Sequence, residues 1–148
     1  MAKPIPDGYH TVTPYLVVPG VARLIEFLKQ AFDAKETERF DRPDGGVMHA
    51  QVRIGDSMIM MGEPMGNFEP MPAMVYIYTE DTDALYRRAL HAGATSVMEP
   101  ANQVYGDRNA GIKDPCGNLW WIATHIEDVS PEELAKRVEA HMKQQQPV

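Results

Sequence analysis

Three polar side chains share one face of a predicted strand, and their types could support acid–base chemistry or anion binding. In residues 47–54 the polar set is His49, Gln51 and Arg53, and it alternates with Met48, Ala50, Val52 and Ile54. Alternation places the polar set on one face of a strand and the apolar set on the other. An imidazole titrates near neutral pH, so His49 is the candidate general acid or base, and a hydrogen-bonded structural histidine is the alternative. Arg53 could bind a carboxylate or phosphonate through two parallel hydrogen bonds.

A second polar cluster, Tyr105, Asp107 and Arg108, lies in a predicted loop before a short strand. We expect Asp107 to orient Arg108 toward an anionic ligand and Tyr105 to cover that ligand. The alternative is an ion pair that only braces the loop.

The remaining candidates stand alone in the sequence. His10 precedes the first strand, and Glu63 follows the fourth; each is a candidate site residue, with a surface position as the alternative. His125 ends the last strand, where an edge or interface position is expected. Cys116 follows a proline in a tight turn with no histidine nearby in sequence, which does not fit a nucleophile.

The elements that must position these residues repeat a β-α-β-β-β order. Module one covers residues 11–62, a Gly- and Pro-rich linker covers 63–72, and module two covers 73–125. The predicted strands are 11–18, 36–40, 47–54 and 57–61, then 73–78, 96–99, 110–113 and 118–124, with helices at 21–32 and 82–91. A C-terminal helix over 131–143 opens with the capping sequence Ser130-Pro131-Glu132-Glu133.

Composition limits the class of protein. The 148 residues, 44% hydrophobic and 24% charged, fit one globular domain. A net charge of -7 argues against nucleic acid or an anionic membrane as partner. No apolar run reaches the roughly 20 residues of a membrane span, and residues 1–10 lack the apolar core of a signal peptide. With a single cysteine, we expect a cytoplasmic protein.

Three segments resemble a known family: TPYLVVPGVARLIEFLKQAF, HAQVRIGDSMIMM and GDRNAGIKDPCGNLWWIATHIEDVSPEEL. They are similar to the glyoxalase/bleomycin-resistance/extradiol-dioxygenase (vicinal oxygen chelate) superfamily, in particular its uncharacterised glyoxalase-like bacterial branch. The most specific piece is the turn Asp114-Pro115-x-Gly117-Asn118 before an aromatic strand. The resemblance implies an α+β fold of two βαβββ modules, which form a curved mixed sheet around a cup, plus the C-terminal helix.

Enzymes of this superfamily hold a divalent metal in the cup, with ligands from the first and last strands of each module. The resemblance maps those positions to Thr13, Met60, Met74 and Trp121. None of the four is His, Glu or Gln, and a catalytic metal site requires nitrogen or hard oxygen ligands. We therefore expect no metal and no cofactor.

Strand alternation then gives the lining of the cup, which is rich in aromatic residues and methionine. The predicted ligand-binding residues are Tyr15, Gln51, Arg53, Met58, Met60, Met74, Tyr76, Tyr78, Tyr105, Arg108 and Trp121. Such a lining suits a flat, partly apolar ligand. The alternative is that these side chains simply fill a closed core.

The sequence favours a metal-independent protein that binds an aromatic or apolar metabolite or drug, of the bleomycin-resistance type. The alternative is a lyase or isomerase for a small carbonyl substrate, using a non-standard metal site (His10, His49, Glu63) or His49 as a metal-free base. A third reading is a purely structural or interaction module. The family resemblance also implies a homodimer, and an apolar face of the C-terminal helix (Leu134, Val138, Met142) is the sequence feature that supports it.

Overall fold

The structure, a computed structural model, describes residues 2–145. In this part of the chain there are eight strands and three helices in the predicted order. They are β1 (Tyr15–Val17), α1 (Val21–Phe32), β2 (Lys35–Asp41), β3 (Val47–Ile54), β4 (Ser57–Gly62), β5 (Met74–Tyr78), α2 (Thr82–His91), β6 (Thr95–Asn102), β7 (Asp107–Lys113), β8 (Leu119–His125) and α3 (Pro131–Gln145).

The strands form two four-stranded mixed sheets, ordered β1-β4-β3-β2 and β5-β8-β7-β6. In each sheet the first strand of the module pairs in parallel with the last, and the remaining pairs are antiparallel. The predicted α+β fold of two βαβββ modules with a C-terminal helix is therefore confirmed. β1 is shorter than predicted and begins after Pro14, a residue without an N–H for a sheet hydrogen bond.

One face of each sheet packs into the hydrophobic core. Helix α1 buries residues spaced three or four apart, which is the pattern of an amphipathic helix, and it contacts α2. The rings of Phe32 on α1 and Trp120 on β8 lie 5.2 Å apart, so the first helix also packs against the second module. Buried strand residues in the core include Leu16, Ala50, Val52, Met61, Ala110, Ile112, Trp120 and Ile122.

The family-like turn Asp114-Pro115-x-Gly117-Asn118 has a structural role. The buried Asp114 carboxylate accepts hydrogen bonds from the backbone N–H groups of Cys116 (2.8 Å) and Asn118 (3.0 Å) and from Nε1 of Trp120 (2.8 Å). Oδ1 of Asn118 accepts a hydrogen bond from the backbone N–H of Ala73 at 2.9 Å, which ties the start of β8 to the start of β5. The motif therefore helps to set the pairing of β5 with β8.

A β-bulge changes the predicted direction of one side chain. Phe40 pairs with His49 and Asp41 pairs with Val47, so Met48 is an extra residue on β3. Val47 is fully buried, while Met48 is 44% exposed. The prediction that Met48 lies with Ala50 on the buried face is wrong, because strict alternation fails at the bulge.

Candidate functional site

Two surfaces carry the chemistry, one on each sheet, and both lie opposite the buried core residues. We call Tyr15, Val17, His49, Gln51 and Met60 the first open face, and Met74, Tyr76, Tyr78, Asn109 and Trp121 the second open face. Along the strands these residues alternate with buried or partly buried residues that pack in the core.

A chain of hydrogen bonds crosses the first open face. The Tyr9 hydroxyl donates to Oε1 of Gln51, and Nε2 of Gln51 lies 2.9 Å from Nε2 of His49. Nδ1 of His49 lies 3.1 Å from the Tyr15 hydroxyl. Because the amide nitrogen of Gln51 can only donate, Nε2 of His49 accepts and Nδ1 carries the proton. The Tyr15 oxygen accepts a hydrogen bond from this N–H group, which leaves the O–H of Tyr15 free to donate to a ligand.

The same chain occupies both ring nitrogens of His49. A substrate would have to displace Gln51 or Tyr15 before the imidazole could take a proton from it. The arrangement corresponds to the hydrogen-bonded histidine that was the alternative to a general base.

An apolar cavity of about 570 Å³ opens beside Tyr15 and His49. It is also lined by Val17, Met48, Gly62, Glu63, Met65, Phe68 and Met71, so the linker between the modules forms one wall. A Cβ atom at Gly62 would lie 2.6 Å from the Met48 carbonyl oxygen and 2.8 Å from the Tyr15 hydroxyl. Glycine at this position therefore lets β4 approach both the bulge and the hydroxyl.

On the second open face the buried carboxylate of Asp107 joins three side chains. Its Oδ2 accepts hydrogen bonds from the hydroxyls of Tyr76 (2.8 Å) and Tyr78 (3.1 Å), and its Oδ1 lies 2.9 Å from Nδ1 of His125. Nε2 of His125 lies 2.8 Å from Asp128. Burial raises the pKa of Asp107, but the hydrogen bonds from His125, Tyr76 and Tyr78 outweigh it, and the pKa lies below its ordinary value. Asp128 and then Asp107 raise the pKa of His125, which favours the imidazolium.

Arg108 lies away from this cluster, on the side of helix α2. Its guanidinium makes two hydrogen bonds to the Asp83 carboxylate, at 2.7 and 2.8 Å, and one to Asn102 at 3.1 Å. The prediction that Asp107 orients Arg108 is wrong, because the partners of the guanidinium are Asp83 and Asn102. β7 begins at Asp107 instead of at residue 110, and neighbouring residues on a strand point to opposite faces. The structure shows an ion pair between Arg108 and Asp83, which braces β7 against α2 and not the loop.

A smaller cavity of about 290 Å³ lies beside the second open face. Its lining consists of Met74, Tyr76, Met98, Gln103, Tyr105, Asn109 and Trp121. Nδ2 of Asn109 donates to the hydroxyls of Tyr105 (2.7 Å) and Tyr76 (3.1 Å). Tyr105 and Tyr76, distant in sequence, are therefore joined through Asn109.

The structure divides the predicted lining of a single cup among several places. Tyr15 lies in the first cavity, and Met74, Tyr76, Tyr105 and Trp121 lie in the second. Met58 and Tyr78 line a third cavity of about 500 Å³, which also contains His10 and Thr13. Met60 is half-buried between Tyr15 and Gln51, and Arg53 is exposed on β3.

The family model for the Glyoxalase/Bleomycin resistance protein/Dioxygenase superfamily matches residues 9–122. The chain belongs to this superfamily. Uncharacterized proteins of Mycobacterium bovis and Mycobacterium tuberculosis (strain H37Rv) are each 32% identical to it over 134 residues. The match covers 83% of this chain in both cases, with 88% of the M. bovis protein and 79% of the M. tuberculosis protein.

Solved structures share the superfamily fold at low sequence identity. TioX from Micromonospora sp. ML1 has a TM-score of 0.68 and 20% identity, over 79% of this chain and 99% of that chain. A glyoxalase-related enzyme from Fulvimarina pelagi has a TM-score of 0.63 and 12% identity, over 78% and 87%. These similarities show the fold alone.

The metal ligands of the glyoxalase superfamily do not fit this chain. The four positions to which the resemblance maps them offer a hydroxyl (Thr13), two thioethers (Met60, Met74) and an indole (Trp121), and an indole has no lone pair to donate. Among residues 2–145, no group of three or more His, Cys, Asp or Glu side chains is placed to hold a metal ion.

The structure does not bring together His10, His49 and Glu63, the residues of the alternative metal site. The Glu63 carboxylate accepts hydrogen bonds from the backbone N–H groups of Gly20 (3.2 Å) and Val47, so it holds the start of α1 and the start of β3 together. His49 is engaged by its neighbours, and His10 lines a different cavity.

Sequence reasoning missed Asn109 and the role of His125. Continuing the alternation Asp107, Asn109, Gly111 backward from the predicted strand would have placed Asn109 on the second open face. The partnership of His125 with Asp107 depends on the pairing of β7 with β8, which local pattern does not give. In the described residues, helices fall short of the length and apolarity needed to cross a bilayer.

Proposed function

We propose that this chain is a metal-independent binding protein for a small aromatic or apolar molecule, which it holds on its open faces. The observation that carries the proposal is the first cavity, whose lining is mostly apolar and includes the oriented hydroxyl of Tyr15. Ligand sites of this kind combine an apolar lining with a few placed polar groups.

The exposed aromatic and methionine side chains of this cavity favour flat apolar ligands and tolerate differences in their outline. Phe68 is 70% exposed and Met71 is 61% exposed, although both are large apolar side chains. A contiguous exposed apolar surface usually marks a binding site. Methionine adapts to irregular ligands, and an aromatic pair adds about 0.5–1.5 kcal/mol beyond the burial of area.

A homodimer and a cytoplasmic location belong to the same proposal. Both open faces expose aromatic and methionine side chains, including Tyr78 and Met74, and α3 exposes Val138 and Met142. A second copy of the chain would remove part of this surface from water.

The cytoplasmic location rests on a different observation: the free thiol of Cys116 suits a reducing compartment. The dimer has a direct test. Light scattering after size exclusion should give twice the chain mass; the mass of one chain would contradict the dimer.

A thermal-shift comparison tests the binding function. Protein treated with EDTA is screened against a panel of planar aromatic compounds and, separately, against Ni²⁺, Zn²⁺ and Mn²⁺. We expect some aromatic compounds to raise Tm and the metals to leave it unchanged, because only a ligand of the folded state stabilises it. Stabilisation by a metal with no response to any aromatic compound would overturn the proposal.

Two matched variants test whether aromatic compounds bind in the first cavity. Phe68→Ala removes part of the cavity wall, whereas Phe40→Ala removes an exposed phenylalanine of β2 that does not line the cavity. The Tm response to aromatic compounds should fall in Phe68→Ala and persist in Phe40→Ala.

A further inference from the structure

The second open face contains a buried hydrogen-bond acceptor without a donor. Asn109 is only 3% exposed, and its Nδ2 has two partners, the hydroxyls of Tyr105 and Tyr76. Its Oδ1 is buried and has no hydrogen-bond partner among the described residues. Buried polar groups are nearly always paired, so this oxygen is a position where a donor from outside the chain would be favourable.

The hydrogen-bond network fixes which way the amide points. Tyr76 has a single hydroxyl proton, and it donates that proton to Asp107 at 2.8 Å. Asp107 is ionised at neutral pH, since its pKa lies below the ordinary value, and it has no proton to return. The Tyr76 oxygen must then accept from Asn109, so the amide nitrogen faces the tyrosines and Oδ1 remains without a donor.

An aromatic platform stands beside this acceptor. Gly111 pairs with Trp121 across β7 and β8, and a Cβ atom at residue 111 would lie 2.7 Å from Cζ3 of the indole and 3.0 Å from Cη2. The indole of Trp121 therefore packs directly against the backbone of Gly111. Trp121 is partly exposed and lines the same cavity as Asn109, so it also offers a surface to a ligand.

The cavity has further polar groups at its edge. Gln103 and Tyr105 line it together with Met74 and Met98, and both can donate a hydrogen bond. The site thus combines one acceptor, nearby donors and a flat apolar wall in about 290 Å³.

The geometry points to a subsite that binds a planar heteroaromatic molecule with a lactam edge, an N–H beside a carbonyl. The ring stacks on Trp121, its N–H donates to Oδ1 of Asn109, and its carbonyl accepts from the amide of Gln103 or the hydroxyl of Tyr105. This inference rests on the proposed function, because it names the chemical edge by which the second open face recognises an aromatic ligand.

Calorimetric titration with a matched pair of probes tests the subsite. Quinolin-2-one carries the N–H, and 1-methylquinolin-2-one has the same ring and carbonyl without it. We expect the full-length protein to bind quinolin-2-one at least about ten-fold more tightly, since the buried acceptor would otherwise stay unpaired. Asn109→Leu should abolish the preference, whereas Asn67→Leu, at an exposed position of the linker, should retain it.

A second variant separates stacking from hydrogen bonding. Gly111→Ala displaces the indole, so it should weaken both probes by a similar factor and keep the preference for the N–H. If Asn109→Leu does not fold, the affinities of the two probes for the unaltered protein still show whether the N–H group is recognised.

The outcomes distinguish this subsite from the proposed function. Equal affinity for the two probes, or a preference that survives Asn109→Leu, overturns the subsite while other aromatic compounds still raise Tm. Failure of every aromatic compound to bind overturns both.

Discussion

The indole of Trp121 lies directly against the backbone of Gly111 on the neighbouring strand, where a Cβ atom would come within 2.7 Å of the ring. The two residues are paired across β7 and β8, so the contact is fixed by the register of the sheet. It explains why a large aromatic side chain can lie on the second open face with one surface available to a ligand.

Gly111→Ala should therefore destabilise the protein by about 1–3 kcal/mol, as expected when a well-packed site receives an extra methyl group. Urea unfolding measures the change. The double variant Gly111→Ala/Trp121→Leu should recover part of the loss, since the smaller side chain no longer collides. Strict additivity of the two single changes would contradict the contact.

The stability of the second open face should depend on pH through His125. Asp128 and Asp107 raise the pKa of His125 above its ordinary value of 6.5, so the folded state binds the proton more tightly than the unfolded chain does. This contribution is fully present below about pH 6.5 and is lost as the pH rises through the folded-state pKa. Tm should fall more between pH 6 and pH 9 in the unaltered protein than in His125→Gln.

His91→Gln serves as the control for that experiment, because His91 is an exposed residue at the end of α2. It should keep the pH dependence of the unaltered protein. A pH dependence that is the same with and without His125 would show that the contacts with the two carboxylates do not stabilise the fold.

Tyr15→Phe tests the oriented hydroxyl of the first cavity. His49 donates to the Tyr15 oxygen, which leaves the tyrosine proton for the ligand. The variant should bind a ligand with an acceptor group, such as 2-methoxynaphthalene, about five-fold more weakly, the usual effect of one neutral hydrogen bond. Its affinity for 2-methylnaphthalene, which lacks the acceptor, should not change, and an equal loss for both probes would count against the assignment.

Arg108→Met separates the bracing ion pair from ligand binding. Arg108 is held by Asp83 on the helix side of β7, so the variant should lower Tm slightly and leave the affinity for aromatic ligands unchanged. A clear loss of affinity for an anionic probe such as 2-naphthoate, measured by calorimetry, would show that Arg108 contacts the ligand.

The order and type of the elements could be predicted from local sequence patterns. Each module repeats turn residues, the spacing of apolar residues in amphipathic helices, and the alternation of apolar and polar residues in strands, and each of these patterns extends over only a few residues. The bulge at Met48 could not, since it depends on the pairing of β2 with β3. Arg108 shows the same limit: β7 begins three residues earlier than predicted, so Arg108 lies on the helix side of a strand and not in a loop. The links of Asp107 to Tyr76 and His125 join residues far apart in sequence, so only the folded register brings them together.

The most direct test of the central claim is a calorimetric titration of the EDTA-treated protein with 2-naphthol, repeated after addition of Zn²⁺. We predict saturable binding with the same Kd in both conditions, weakened in Phe68→Ala and unchanged in Phe40→Ala. Binding that appears only with Zn²⁺, or no saturable binding in either condition, would contradict the account.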